Sequence, residues 1–184
     1  RLAPVPTFAP CDTPPGRPIT AALWPSHLQA AMRGKILVRL AAKGGDLRRT
    51  GRRILLSRRG FTQRRLVNEA EIADALQPHG FEVIQPENYT FAEQVEIYHA
   101  ADIVVGSASS ALINCLFCHP GAKVIALTHD NPAFYFRGFT SLIESSGARL
   151  LFVRGHAVQT EGLHPMHADY AASPAAILQA LAAS

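Results

Sequence analysis

The chain has 184 residues, 48% of them hydrophobic and 17% charged, and a net charge of +4. That balance excludes a disordered or collagen-like chain and allows one well-cored domain of ordinary size. The charge is uneven, because 14 of the 18 Lys and Arg fall within residues 1–65 beside only Asp12 and Asp46, so the first third is basic and the rest acidic.

Residues 1–20 hold six of the thirteen prolines and no apolar period, which predicts a linker or an extended strap. From Pro25 to about Ala42 the spacing of Leu28, Ala31, Met32 and Ile36 predicts a helix that Gly44-Gly45 closes. After Arg53 short apolar strands alternate with helices: Ile54–Ser57, Phe81–Gln85, Ile103–Val105, Lys123–Leu127 and Arg149–Val153. Asn68 and Glu71 have the N-x-x-E spacing of a capping box, with Val67 and Ile72 spaced as a hydrophobic staple, so a helix is expected to start near Glu69. Thr90 and Glu93 form a second such box. Asn131-Pro132 and Ser173-Pro174 each place proline just after an N-cap. Gly80, Gly121 and Gly147 stand where helices should stop. Strands spaced this way, each followed by a helix, describe βαβ units, and the expected fold is an α/β Rossmann-like parallel sheet flanked by helices. The expected division is a strap and helix over residues 1–50, linking to an upstream domain, and a ligand-binding domain over 51–184.

In such a fold the segments after the strands converge on one edge, where ligands bind. The stretch S-R-R-G-F-T-Q-R-R-L-V-N over residues 57–68 sets Arg58, Arg59, Arg64 and Arg65 at that edge. A guanidinium stays charged at neutral pH and its planar fork fits phosphate oxygens. The pattern therefore points to an anionic ligand, with a solvated basic loop as the alternative. The small-residue turn Gly106 to Ser110 leads from strand to helix, where exposed N–H groups favour an anion and Ser109 and Ser110 can add hydroxyl donors; a plain tight turn with a serine cap is the other reading. His129 follows a strand at the same edge, where a plain surface histidine is the favoured reading and a role in donating to phosphate or acting as acid or base the other. Asn68, Glu69 and Gln94 lie near helix starts, where capping accounts for them and ligand contact is a second possibility.

Cys115 and Cys118 have C-x-x-C spacing but no second pair, and read as core packing. His156, His164 and His167 lie in a loop without a carboxylate at ligand spacing, so no metal is expected. An odd number of cysteines, no secretory signal and no apolar run of about 18 residues favour a cytoplasmic setting. The chain opens at Arg1 without an initiating Met and reads as the carboxyl-terminal part of a longer protein. Few aromatic residues between Trp24 and Phe61 argue against single-stranded nucleic acid as the partner of the basic third.

Taken in order, S-R (57–58), R-R-L-V-N-E-A-E (64–71), G-F-E-V-I-Q-P-E (80–87), F-A-E-Q-V (91–95), A-A-D-I-V-V-G (100–106), S-S-A-L-I-N-C-L-F (109–117) and P-G-A-K-V-I (120–125) resemble glycosyltransferase family 61, which includes bacterial capsular polysaccharide biosynthesis proteins. The series spans roughly residues 53–155, with a thinner likeness over 169–181. The resemblance implies the nucleotide-sugar-binding half of a GT-B enzyme that inverts its donor sugar without a bound metal or other cofactor. The donor is expected to be UDP-linked and the acceptor a bacterial surface glycan, the enzyme working in the cytoplasm or at the inner face of the membrane. Arg58, Arg65, Gly106, Ser109 and Ser110 then become the expected diphosphate site. Arg64, Asn68, Glu69, Gln94 and Asn114 support it. Many plant and animal relatives carry His where this chain has Ala108. The alternatives are a nucleotide-sugar-binding module without turnover and, more remotely, a nucleic-acid or anionic-surface binder.

Overall fold

A computed structural model describes residues 2–3, 26–130, 137–158 and 167–183. The strap over residues 4–20, the Asn131-Pro132 helix start and His164 lie outside the described residues. Seven strands and five α-helices are described: β1 (Leu2–Ala3), α1 (Ser26–Ala42), β2 (Arg52–Leu56), α2 (Glu69–Leu76), β3 (Phe81–Ile84), α3 (Phe91–Ala100), β4 (Ala101–Ser107), β5 (Lys123–His129), α4 (Arg137–Glu144), β6 (Arg149–Val158), β7 (Asp169–Ala171) and α5 (Pro174–Ala182). The connection from β4 to β5 is a 3-10 helix over Ser110–Phe117.

The strands run in the order β1-β6-β5-β4-β2-β3. Strands β2 to β6 are mutually parallel, as the βαβ pattern predicts. The sheet is nonetheless mixed rather than wholly parallel, because β1 and β7 both pair antiparallel with β6. Two and three residues long, neither carries enough sequence to show a period. The chain steps from β2 outward to β3, then returns to place β4 on the other side of β2. At such a reversal the two flanking connections leave on opposite faces and open a crevice beyond the carboxyl ends of the strands.

Both faces of the sheet are covered, which is why its strands are apolar runs rather than alternations. Ile54, Leu56, Val104, Val124, Ala126 and Leu150 face one layer, where Val95 and Tyr98 of α3, Leu112 and Cys115 of the 3-10 helix and Ile143 of α4 complete the core. Leu55, Val105, Ile125, Leu127 and Val153 face the other, against Ile72 and Leu76 of α2 and Ile177 and Ala180 of α5. Full burial of each such Leu, Ile or Val stabilises the fold by about 1.5–3 kcal/mol. Helix α1 joins the first layer through Met32, Ile36, Leu37 and Leu40, and Arg33 Nη2 donates to the Cys118 carbonyl at 2.9 Å. Leu28, expected on that face, is exposed, and Gln29 is buried in its place.

Helix termini follow the sequence signals unevenly. The Thr90–Glu93 box forms in full, and Ser173 Oγ accepts from Ala176 N at 3.3 Å. Gly80, Gly121 and Gly147 all adopt positive φ, the region open to glycine. The Asn68 box does not form. Helix α2 begins at Glu69 as expected, but Asn68 makes no side-chain cap bond and instead exchanges two hydrogen bonds with the backbone of Ala172, at 2.9 and 3.1 Å. The staple fails with it, since Ile72 is buried while Val67 is 53% exposed.

Candidate functional site

At the reversal, Leu56 lies in register with Gly106. A side chain on Gly106 would place its Cβ 2.9 Å from Leu56 Cβ, so glycine is what lets β2 and β4 close to sheet distance at this point. Beyond these two residues a small cleft opens, lined by Arg58, Arg64, Ser107, Ala108, Thr128, His129 and Tyr170 above Leu127, with about 10 Å³ of open volume, room for a single water. Three strand ends, β2, β4 and β5, and the tip of β7 thus meet at one place.

Arg58 supplies the first cation. Its backbone N–H donates to Glu69 Oε2 at 2.8 Å, and Ser57 Oγ donates to Glu69 Oε1 at 2.6 Å, so buried Glu69 anchors the turn after β2. The Arg58 guanidinium lies 4.4 Å from the centre of the Phe61 ring and donates to the Gln63 carbonyl at 3.2 Å. Its Nε is buried without an acceptor. Burial, and then the like charge of Arg64, lower its pKa, although a guanidinium so placed remains a cation at neutral pH. A half-buried cation beside a second cation and short of an acceptor is a place where an anion gains affinity.

Arg64 brings the second cation from a left-handed turn, with φ of +52°. That region costs a non-glycine residue on the order of 1–3 kcal/mol and persists only where its surroundings hold it. Tyr170 forms the floor: its hydroxyl donates to Ser107 Oγ at 2.6 Å with the Leu127 carbonyl 3.2 Å away, and burial raises its pKa, so it stays a donor. With the Tyr170 proton directed at its oxygen, the Ser107 hydroxyl can turn its own proton elsewhere. His129, expected at the surface edge, is buried, its ring 5.9 Å from that of Tyr170.

The structure gathers Arg58, Arg64, His129 and the Ser107-Ala108 part of the turn, and places the other candidates elsewhere. Arg65 directs its guanidinium to Asp169, with Nε and Nη2 at 2.8 and 2.6 Å from Oδ2. Ser109 is buried without a side-chain cap bond and Ser110 is exposed; neither lines the cleft. The helix start expected to present free N–H groups is a 3-10 turn, and the Ala108 N–H is already given to the Leu127 carbonyl at 2.7 Å. Asn114 donates to Gln94 Oε1, and Gln94 donates to the carbonyls of Pro86 and Tyr89, so this pair braces α3 against its neighbours.

Four arginines of the basic first third form ion pairs besides Arg65: Arg48 with Asp46, Arg49 with Asp102, Arg52 with Glu82 and Arg59 with Glu69. Among the described residues, no group of three or more His, Cys, Asp and Glu is arranged to hold a metal, and no helix is long and apolar enough to cross a membrane. Cys115 and Cys118 are free thiols buried in the core, as the lack of a second pair implied. Tyr170 and Asp169 are the site residues that sequence reasoning missed. The local signals for them are the thin family likeness over 169–181 and their position just ahead of the Ser173-Pro174 helix start.

Comparison with curated proteins finds no match to the chain. The family model described as Glycosyltransferase 61 matches residues 9–125, a span that begins well before the motif series and runs through the arginine turn, the reversal and into β5. Since the match covers more than half of the 184 residues, this chain belongs to glycosyltransferase family 61.

Proposed function

We propose that the diphosphate of a nucleotide-sugar donor sits at the mouth of the narrow cleft at the β2/β4 reversal, against Arg58 and Arg64, and that the chain serves as the donor-binding half of an inverting, metal-independent transferase building a bacterial surface glycan. The observation that carries this reading is the convergence of Arg58 and Arg64 beyond the carboxyl ends of the parallel strands, with the Arg58 Nε buried and short of an acceptor. The doubly wound order of β2 to β6 supports a Rossmann-like half of a GT-B enzyme, whose ligands bind at that crevice.

In an inverting transfer the acceptor hydroxyl gives up its proton to a general base and its oxygen bonds to the anomeric carbon as the bond from that carbon to the diphosphate oxygen breaks on the opposite face, the electron pair leaving with the diphosphate. Negative charge then builds on the leaving diphosphate. Two fixed guanidinium groups, partly withdrawn from water, stabilise that charge more in the transition state than in the ground state. The donor is taken to be UDP-linked. Ser107 and His129 line the same cleft behind the arginines.

The test is calorimetric titration of the protein with UDP, with and without EDTA. Arg58→Ala and Arg64→Ala are each expected to weaken binding by roughly 10- to 100-fold, the worth of one charged hydrogen bond. Wild-type affinity in both variants would remove the site. A second reading, donor binding without turnover, is favoured by Ala108, a buried methyl with its N–H already used, at the position where many relatives carry His. Sugar transfer by the protein would end that alternative.

A further inference from the structure

The 64–67 segment and β7 lie side by side as a short parallel pair. Leu66 bridges Tyr170, Arg64 N donates to the His167 carbonyl at 3.1 Å, Tyr170 N donates to the Arg65 carbonyl at 2.9 Å, and Val67 N donates to the Tyr170 carbonyl at 2.9 Å. Asp169 closes this ladder with both carboxylate oxygens. Oδ1 accepts the main-chain N–H of Arg65 at 2.7 Å, while Oδ2 accepts from Arg65 Nε and Nη2. The Asp169 carboxylate is 3% exposed and is capped by an Arg65 side chain that is 55% exposed, so its charge-assisted bonds are sheltered on the carboxylate side.

The peptide held in this way joins Arg64 to Arg65. Its orientation decides the backbone twist at Arg64, the only described non-glycine residue with positive φ. Successive arginines consequently part company: Arg65 turns to Asp169, and Arg64 lines the cleft beside Arg58. A strained turn relaxes when its restraints are removed, and here relaxation would carry Arg64 out of the cleft.

We propose that Asp169 is a positioning residue for the anion cleft: it does not touch the ligand, but it locks the Arg64-Arg65 peptide in the left-handed turn that delivers Arg64 beside Arg58. The inference rests on reading the cleft as the diphosphate site. It adds a residue that lies beyond the segment matched by the family model and more than a hundred positions from the arginine it serves.

The experiment is a double-mutant cycle on the whole protein, titrated with UDP and with inorganic pyrophosphate, a probe indifferent to the base. Asp169→Asn is expected to weaken both ligands about tenfold while the protein still unfolds cooperatively, and Asp169→Asn combined with Arg64→Ala should bind no worse than Arg64→Ala alone. A purely structural role would lower affinity in the Arg64→Ala background as well. Wild-type affinity in Asp169→Asn with a weakened Arg64→Ala overturns the positioning role and leaves the cleft standing. Multiplicative losses in the double variant overturn it too. Wild-type affinity in both Arg58→Ala and Arg64→Ala, or no binding of either ligand to the wild-type protein, removes the cleft reading and this inference with it. Should Asp169→Asn not fold, Arg65→Lys, which keeps the charge and loses the bidentate fork, enters the same cycle with the same expected coupling to Arg64.

Discussion

Asn114 donates its Nδ2 hydrogen to Gln94 Oε1 across 2.7 Å and so ties the 3-10 helix after β4 to helix α3. Gln94 uses its own Nε2 hydrogens on the carbonyls of Pro86 and Tyr89, at 2.8 and 3.0 Å, which fixes the turn leaving β3. Two connections, the one after β3 and the one after β4, thus meet at one amide pair. Gln94 uses both its oxygen and its amide hydrogens on protein groups, and the pair reads as a brace.

Truncation of this pair should therefore cost stability and leave binding alone. Asn114→Ala leaves the half-buried Gln94 carbonyl without its partner, a loss of about 1–3 kcal/mol. The double variant with Gln94→Ala should lose less than the sum of the two single changes. Urea unfolding midpoints measure the first effect, and UDP titration of the folded variants measures the second. A large loss of UDP affinity in fully folded Asn114→Ala would return Asn114 to the binding site.

How far the sequence discloses this arrangement depends on the range of the forces involved. Ile54-Leu55-Leu56, Val104-Val105 and Val124 to Leu127 announce buried parallel strands because both faces of each are covered, and their order in the chain implies the crossovers. The strand ends are misjudged because Arg52, Thr128 and His129 are polar yet still paired in the sheet. Asn68 has the spacing of a cap, but the Ala172 backbone competes for its amide and wins. The arginine turn is legible as a basic cluster at a strand end. Which arginine of the pair enters the cleft is not, because one backbone torsion and a carboxylate far along the chain decide between Arg64 and Arg65.

The acid limit of stability should fall below about pH 4, near the usual carboxyl values. An Arg49 hydrogen bond, opposed by burial and aided by His119, holds the Asp102 carboxyl below its usual value. At Asp169 burial pushes the carboxyl up, but the Arg65 side-chain and main-chain bonds outweigh it and leave the pKa lowered. Both groups are depressed in the folded chain, so each contributes stability that is fully present above the unfolded value and is lost as the pH falls through the folded one. Asp169→Asn should be less stable at neutral pH and should show a shallower acid limb. Urea midpoints taken from neutral to acid pH test this, and parallel acid limbs in the two proteins would mean that Asp169 ionisation contributes nothing.

Thiol chemistry should be silent in the native core. Cys115 and Cys118 are fully buried, and burial first, then the hydrogen bond and charge of Cys118, raise the Cys115 pKa well above that of a free thiol. The thiolate is the reactive form, so a deeply buried thiol held neutral reacts only after opening. Iodoacetamide at mildly alkaline pH should leave both unmodified by mass spectrometry until denaturant is added. Rapid native labelling of Cys115 would show that the layer containing the 3-10 helix opens readily.

Two glycines at the ligand edge should respond differently to a single added methyl. A Cβ on Gly106 would lie 2.9 Å from Leu56 Cβ and 3.1 Å from its Cδ1, so a side chain must shift, an overpacking of about 1–3 kcal/mol. A Cβ on Gly155 would overlap the Ala171 carbonyl and come within 3.1 Å of Ala172 Cα. Those are backbone atoms, and no change of rotamer relieves them. Gly155 is where β6 leaves β5 to pair with β7, since His129 faces Gly155 and His156 faces Ala171. Gly155→Ala must therefore push β7 away, and β7 carries the Asp169 clamp and the Tyr170 floor of the cleft. We expect Gly155→Ala to lose more stability than Gly106→Ala and to speed hydrogen exchange at the amides of Val67 and Tyr170, which bond across that contact. Equal stability and equal exchange in the two variants would mean that β7 slides without consequence, and that the arginine turn holds its shape without it.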